Sequence, residues 1–171
     1  MSLNKFSKLF SNLDSSNSIN NKLKILKNYF ETNNELENSW SIYLLIGKNN
    51  KRFISGRSLK ILFADIYEFP LWLIDTCYLK VGDSAEVISL LLNIQNNTRK
   101  NVLQDISLDE LLNKILPEIA VLQEDEKKLR VKEIWEQLPK ENLLIFNKIL
   151  TGTFRVGVSI GLITKSIAKI I

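Results

Sequence analysis

Residues 143–163 read LLIFNKILTGTFRVGVSIGLI. Leu143, Phe146, Ile149 and Leu150 recur at intervals of three and four, the spacing of one face of an amphipathic helix. Gly152 closes that run and Gly157 follows it. Ser159 then stands where a capping residue would open a last helix holding Leu162, Ile163, Ile167 and Ile170. The stretch predicts helix, tight loop, helix.

The same spacing extends over most of the chain. Leu3, Phe6, Phe10 and Leu13 form a first stripe, ended by a turn at Asp14-Ser15-Ser16-Asn17, and Ile19, Leu23, Leu26 and Phe30 form a second. Asn33 or Asn34 can cap a third helix carrying Leu36, Trp40, Tyr43 and Leu44, which Gly47 stops. Leu59, Leu62, Phe63 and Ile66 stripe a fourth, and Pro70 suits the first turn of a fifth with Leu73, Ile74 and Cys77. Asp83 to Glu86 and Ser107 to Glu110 read as capping boxes, the first opening a helix that ends near Leu92. Pro117 and Pro139 are expected to break the chain on either side of Leu129 to Leu138. With only six glycines and three prolines in 171 residues, there is little material for the turns of a β-sandwich. The expected fold is all-α, a single compact multi-helix domain over 1–171. Trp40, Trp72 and Trp135 lie among helically spaced apolar residues and are expected in the core, as is Cys77.

Composition excludes several chemistries. There is no histidine, which removes Ser-His and Cys-His nucleophile pairs and imidazole-built zinc sites. One cysteine cannot form an internal disulfide, which fits a reducing compartment. No apolar run reaches the length of a secretory leader or a membrane span, so a cytoplasmic location with no membrane partner is the default expectation.

The net charge of +4 hides a polarised distribution. Leu44 to Lys60 holds five basic residues (Lys48, Lys51, Arg52, Arg57, Lys60) and no acid; Asn142 to Ile171 holds four (Lys148, Arg155, Lys165, Lys169) and no acid. Val102 to Glu141 reverses the balance, ten acids against six bases. Such runs are commonly solvated helix faces. Here, however, the two basic segments also contain all the glycines except Gly82. In a helical protein, glycines mark sharp turns or close backbone approach to a ligand.

Three segments can therefore meet an anion. Gly47 to Arg57 is a cation-bearing loop able to neutralise phosphates, with Ser58 and nearby amides as further donors. Val81-Gly82-Asp83-Ser84-Ala85-Glu86 exposes the amides of a helix start, although Asp83 and Glu86 could simply satisfy them. Thr151-Gly152-Thr153-Phe154-Arg155-Val156-Gly157 lets backbone amides approach a ligand while Arg155 pairs with a phosphate or enters a minor groove. It reads equally as a tight connection with Phe154 tucked into the core. No Walker-type phosphate loop occurs, and Asp83 with Glu86 lacks the third ligand a metal site needs.

Taken in order, Gly47…Lys51-Arg52, then V-G-D-S-A-E at 81–86, then the block ending T-G-T-F-R-V-G-V-S at 151–159 resemble the N-terminal DNA-binding domain of ATP-dependent DNA ligases, the bacterial forms most nearly. The family's last block runs close to L-L-x-K-L-L-T-G-x-F-R-V-G-V-S. The likeness spans nearly the whole chain, and its last block is the most specific part. Ser84 stands where Leu is more usual, and Gly161 falls inside the last helix. The resemblance implies a helical domain that grips nicked double-stranded DNA across the minor groove, without sequence preference, and bends it for a catalytic domain. Its DNA-contacting positions map onto Lys51, Arg52, Arg57, Gly82, Asp83, Gly152, Thr153, Arg155 and Gly157.

Ligase chemistry needs the adenylate-accepting lysine of a K-x-D-G motif, and that tetrapeptide is absent. The chain is accordingly expected to be an isolated N-terminal fragment, non-catalytic and free of cofactor. ATP, a divalent metal and the catalytic domain would belong to the parent enzyme, serving repair, replication or recombination at the nucleoid. The competing expectation is a helical protein–protein interaction module that docks through the acidic stretch Glu124 to Glu141. A stand-alone enzyme using Asp83 and Glu86 is the remaining one.

Overall fold

The computed structural model describes residues 2–47, 51–95, 103, 106–154 and 156–170. Among these the secondary structure is helical throughout, as the apolar spacing predicts. Helix α1 (Ser2–Asp14) buries Leu3, Phe6, Leu9, Phe10 and Leu13. Ser18 caps α2 (Ile19–Thr32) by accepting from the Asn21 amide. Of the two candidate asparagines, Asn34 caps α3 (Glu35–Ile46), and Gly47 ends it at φ 66°. Ser55 caps α4 (Gly56–Tyr67) through the Ser58 amide.

Pro70 sits just before α5 (Leu71–Val81), at the capping position rather than inside the first turn. Helix α6 (Ser84–Gln95) follows after only Gly82 and Asp83. Ser107 caps the short α7 (Leu108–Glu110), which runs without a break through a π-helical stretch (Leu111–Ile115) into α8 (Leu116–Val121). The break expected at Pro117 is thus a widening. A proline cannot supply the amide for the residue four before it, and its ring crowds that residue's carbonyl. Here the preceding Leu116 amide reaches back five residues to Leu111, so the helix absorbs the proline as a π-turn.

Helices α9 (Glu124–Gln137), α10 (Lys140–Thr151) and α11 (Ile160–Ile167) complete the described chain. A reciprocal capping box between Gln123 and Glu126 opens α9. Ser159 caps α11 as expected, but the helix stops at Ile167, leaving Ile170 beyond it in a turn. Gly161 falls in the first turn of α11, where a glycine costs less than in a helix interior.

Helix α10 is the axis. It packs on α6 and α1, while α11 lies on α2, α4 on α5 and α6, α9 on α8, and α3 on α7. From Asn142 to Thr151 every residue but Leu144 is buried. A helix enclosed on all sides must satisfy its polar side chains internally. Asn147 accepts from the Trp135 indole at 2.8 Å and donates to Ser89 Oγ at 3.0 Å, and Ser89 donates onward to the Ala85 carbonyl. Asn142 accepts from Ser7 on α1.

The tryptophans divide. Trp135 is fully enclosed beside Phe63 and Tyr67, and Trp40 is half-buried, donating to Asp109. Trp72, expected in the core, is 69% exposed, with Leu79 on the same face of α5 also in solvent. Helix α5 turns Ile74 inward, which leaves the residues on its far side outside the core. Leu36 and Ile19, counted in the apolar stripes, lie at helix starts and are exposed. Cys77 is partly buried against the core.

Candidate nucleic-acid interface

The site is assembled around the C-terminal end of α10. The Leu150 carbonyl accepts from both Phe53 and Ile54 amides at 3.0 Å, which docks the basic loop onto the last turn of α10. Ile54 is buried and anchors the loop, while Lys51, Arg52 and Arg57 project into solvent. The Lys51 ammonium lies 5.4 Å from the Phe53 ring centroid, a cation–π contact that holds it along the loop. None of these three cations is ion-paired among the described residues. Three of the six bases of the acidic segment, by contrast, are engaged: Lys127 with Glu124, Lys128 with Asp65, and Arg130 with both Glu118 and Glu133. The positive charge left without an acid therefore includes the edge of this loop. On its other flank the loop borders a groove that includes Asp65, Glu124 and Asp125, which limits the width of the cationic strip.

The second segment lies against the first. A Cβ placed on Gly56 would be 2.8 Å from Ser84 Oγ and 3.2 Å from Ser84 Cβ, so the first turns of α4 and α6 are in direct contact and a side chain at 56 would have to push them apart. The exposed Gly82 adopts φ 81° and ends α5 through its amide to Tyr78. A Cβ there would meet open space, so the glycine answers a left-handed turn rather than crowding. Asp83 Oδ1 accepts from the Glu86 amide at 3.0 Å and Oδ2 from Lys148 Nζ at 2.8 Å.

Gly152 ends α10 at φ 66°, and Thr153 donates its amide to the Lys148 carbonyl. Thr153 and Thr151 share a hydroxyl hydrogen bond of 2.8 Å. Phe154 is buried against the rings of Phe6 and Phe10. It pins the loop to α1, so the reading of Phe154 as a core residue describes its side chain. Gly82, Asp83 and Thr153 open onto one cavity of about 390 Å³, shared with Phe10, Asp14, Glu86 and Lys148. Gly157 (φ 59°) lies outside that cavity. Its carbonyl and that of Val156 accept from Lys22 of α2 at 3.3 and 2.9 Å. Arg155 and Lys48 lie outside the described residues.

Lys22 and Lys148 are the side chains that sequence reasoning missed as organisers of the loops. A lone lysine inside the apolar run 143–150 was the available signal for Lys148. Lys22 had none, because its partners are 134 and 135 residues away.

In this all-helical domain the glycine-bearing segments meet around one helix end, beside Lys51, Arg52 and Arg57, which carry no ion pair among the described residues, and that arrangement defines a structural class. The comparison with protein families makes the class specific. The family described as DNA ligase N terminus, the N-terminal domains of ATP-dependent DNA ligases, matches residues 2–168, and the chain belongs to that family. No curated protein matches the chain.

Proposed function

We propose that the domain binds nicked double-stranded DNA without sequence preference, as the N-terminal domain of an ATP-dependent ligase acting in DNA repair, replication or recombination. The observation that carries this reading is the gathering of the three glycine-bearing segments at the end of α10, with Lys51, Arg52 and Arg57 exposed there without ion pairs among the described residues. Arg52, Arg57, Lys51 and Arg155 supply charge, while Gly82, Gly152 and Gly157 let the backbone approach phosphates; Thr153 adds a hydroxyl. The partners are the nicked duplex and the catalytic domain of the parent chain, in a cytoplasmic, nucleoid-associated setting. No described helix is long and apolar enough to cross a membrane.

The residues here do not fit the reacting groups of ligation. The chain holds no K-x-D-G tetrapeptide, and no group of three or more acidic or cysteine side chains able to hold a metal occurs among the described residues. In this reading ATP and the divalent metal belong to the catalytic domain, and the domain positions DNA without sealing it.

The test is an anisotropy titration on nicked and intact duplex at several salt concentrations. If about five phosphates are neutralised, the log–log slope is about −4 to −5. Arg155→Ala weakens binding on all sequences alike, since phosphate contacts carry no base information. A slope near zero refutes the reading. It would favour the interaction-module alternative, which has in its support the exposed Trp72 and Leu79 on one face of α5.

A further inference from the structure

Lys148 belongs to the acid-free C-terminal segment and by charge alone would count as a phosphate ligand. Its surroundings give it other work. The residue is 8% exposed, its Nζ is 2.8 Å from Asp83 Oδ2, and its ammonium lies 5.6 Å from the centre of the Phe10 ring. Asp83 is committed twice, since its other oxygen caps α6 through the Glu86 amide. The Lys148 backbone is committed as well: its carbonyl accepts from the Thr153 amide at 3.1 Å and from Thr151 Oγ1 at 3.4 Å. One residue thus holds the Gly82–Asp83 turn through its side chain and the Gly152–Thr153 turn through its carbonyl.

We infer that Lys148 and Asp83 are a positioning pair that sets the spacing of these two loops for DNA, and that neither side chain binds phosphate. The inference rests on the proposed DNA-binding function and assigns roles within it. A phosphate approaching Lys148 would enter a cavity lined by Asp14, Asp83 and Glu86, three carboxylates against one ammonium. A phosphate and these carboxylates share a sign, and they would lie well within a Debye length of one another, so the cavity repels the ligand more than the single ammonium attracts it. The largely buried pair also cannot be opened cheaply, because separating it leaves a poorly solvated charge on each side. Asp83 therefore contributes to the interface by geometry, although its charge opposes the ligand.

That opposition provides a test whose sign is decisive. Asp83→Asn keeps a good capping side chain for α6 but loses the ion pair. On charge alone it removes a repulsion and would tighten DNA binding. As a positioning residue it should weaken binding to nicked duplex about 3- to 10-fold, with the salt slope unchanged. Lys148→Met should do the same, Lys148→Arg should recover most of the affinity, and the Asp83→Asn/Lys148→Met double variant should be no weaker than the weaker single. Arg57→Ala is the contrast: a direct phosphate contact, it should lower the slope by about 0.9. Each variant is first melted by circular dichroism, so that binding is compared only below the transition.

Tighter or unchanged binding by Asp83→Asn overturns the inference. So does a slope that falls by about one in Lys148→Met, which would make Lys148 a phosphate ligand. If the wild-type domain shows no salt-dependent binding, the DNA reading itself fails and the positioning role falls with it. If wild type binds and only the variants disobey, the pair alone is refuted.

Discussion

Gly56→Ala is the perturbation most tightly specified by this fold. The new methyl group would lie 2.8 Å from Ser84 Oγ and 3.2 Å from Ser84 Cβ. The hydroxyl can rotate away, but the Cβ is fixed to the first turn of α6. Carbon atoms settle at about 3.5–4.0 Å, so the starts of α4 and α6 must separate by a few tenths of an ångström. Overpacking of this kind costs about 1–3 kcal/mol. The loss of glycine's freedom in the unfolded chain returns about 0.4–1 kcal/mol, because Gly56 does not have a positive φ and alanine adopts its backbone without strain. The net destabilisation is about 0–2.6 kcal/mol with a midpoint near 1.3 kcal/mol, which corresponds to a fall in Tm of about 3–5 °C for a domain of this size.

Urea and thermal denaturation measure it, and the neighbour supplies an internal control. Ser84→Ala removes the 2.8 Å contact but leaves the one at 3.2 Å, so it should rescue Gly56→Ala only in part. Ser84→Gly removes both and should show a coupling of about 1 kcal/mol in a double-mutant cycle. Because the same shift displaces Arg57 from the Gly82–Asp83 turn, affinity for nicked duplex should fall alongside. A Gly56→Ala protein as stable as wild type, with no coupling to Ser84→Gly, would refute the close approach of the two helix starts.

Trp135→Ala should cost about 3–5 kcal/mol, whereas Trp72→Ala, removing a largely solvated ring, should cost less than about 1 kcal/mol; equal losses in denaturant titrations would contradict the division of the tryptophans. Asn147→Leu keeps volume but removes the acceptor that lies 2.8 Å from the buried Trp135 indole nitrogen, so it should destabilise by about 1–3 kcal/mol and shift the Trp135 fluorescence; a neutral outcome would show that this buried hydrogen bond contributes nothing to the fold. Burial of the Tyr29 phenol, assisted by the Glu37 carboxylate and opposed by the Ser41 hydrogen bond, pushes its pKa up to about 12. The fold therefore favours the protonated phenol, and that stabilisation is complete below pH 10 and lost as pH rises from about 10 to about 12. Two pKa units correspond to about 3 kcal/mol, so the stability of wild type relative to Tyr29→Phe should decline across that window; a flat difference would show that Tyr29 is not held protonated.

The parts of this structure that were legible in the sequence are those whose hydrogen bonds close within a turn. Asn34, Ser107 and Ser159 cap helices because each side chain meets an amide three residues on, a relation visible in the chain itself. Gly47 and Gly152 end helices for a reason equally local, the left-handed backbone of the closing residue. What sequence could not supply is which face a helix turns to its neighbours. Trp72 and Trp135 have similar apolar surroundings in sequence, yet α5 sends one outward and α9 sends the other against Phe63. Pro117 was misjudged because the π-turn that accommodates it depends on a longer hydrogen bond than the helical rule assumes. In the site, the glycine-bearing segments could be listed from sequence alone, but their meeting could not. The contacts that join them span 65 residues between Asp83 and Lys148, and an interhelical approach between Gly56 and Ser84.

The two amides that end on the Leu150 carbonyl also make a statement about opening. A surface loop usually exchanges its amide hydrogens through small local fluctuations that leave the core closed. Phe53 and Ile54 have their acceptor on a fully enclosed turn of α10, so their exchange should be slow and should follow the core. The cationic loop would then meet DNA already ordered, and association would forfeit little loop entropy. The edge of the molecule that faces its ligand is, in this respect, an extension of its interior.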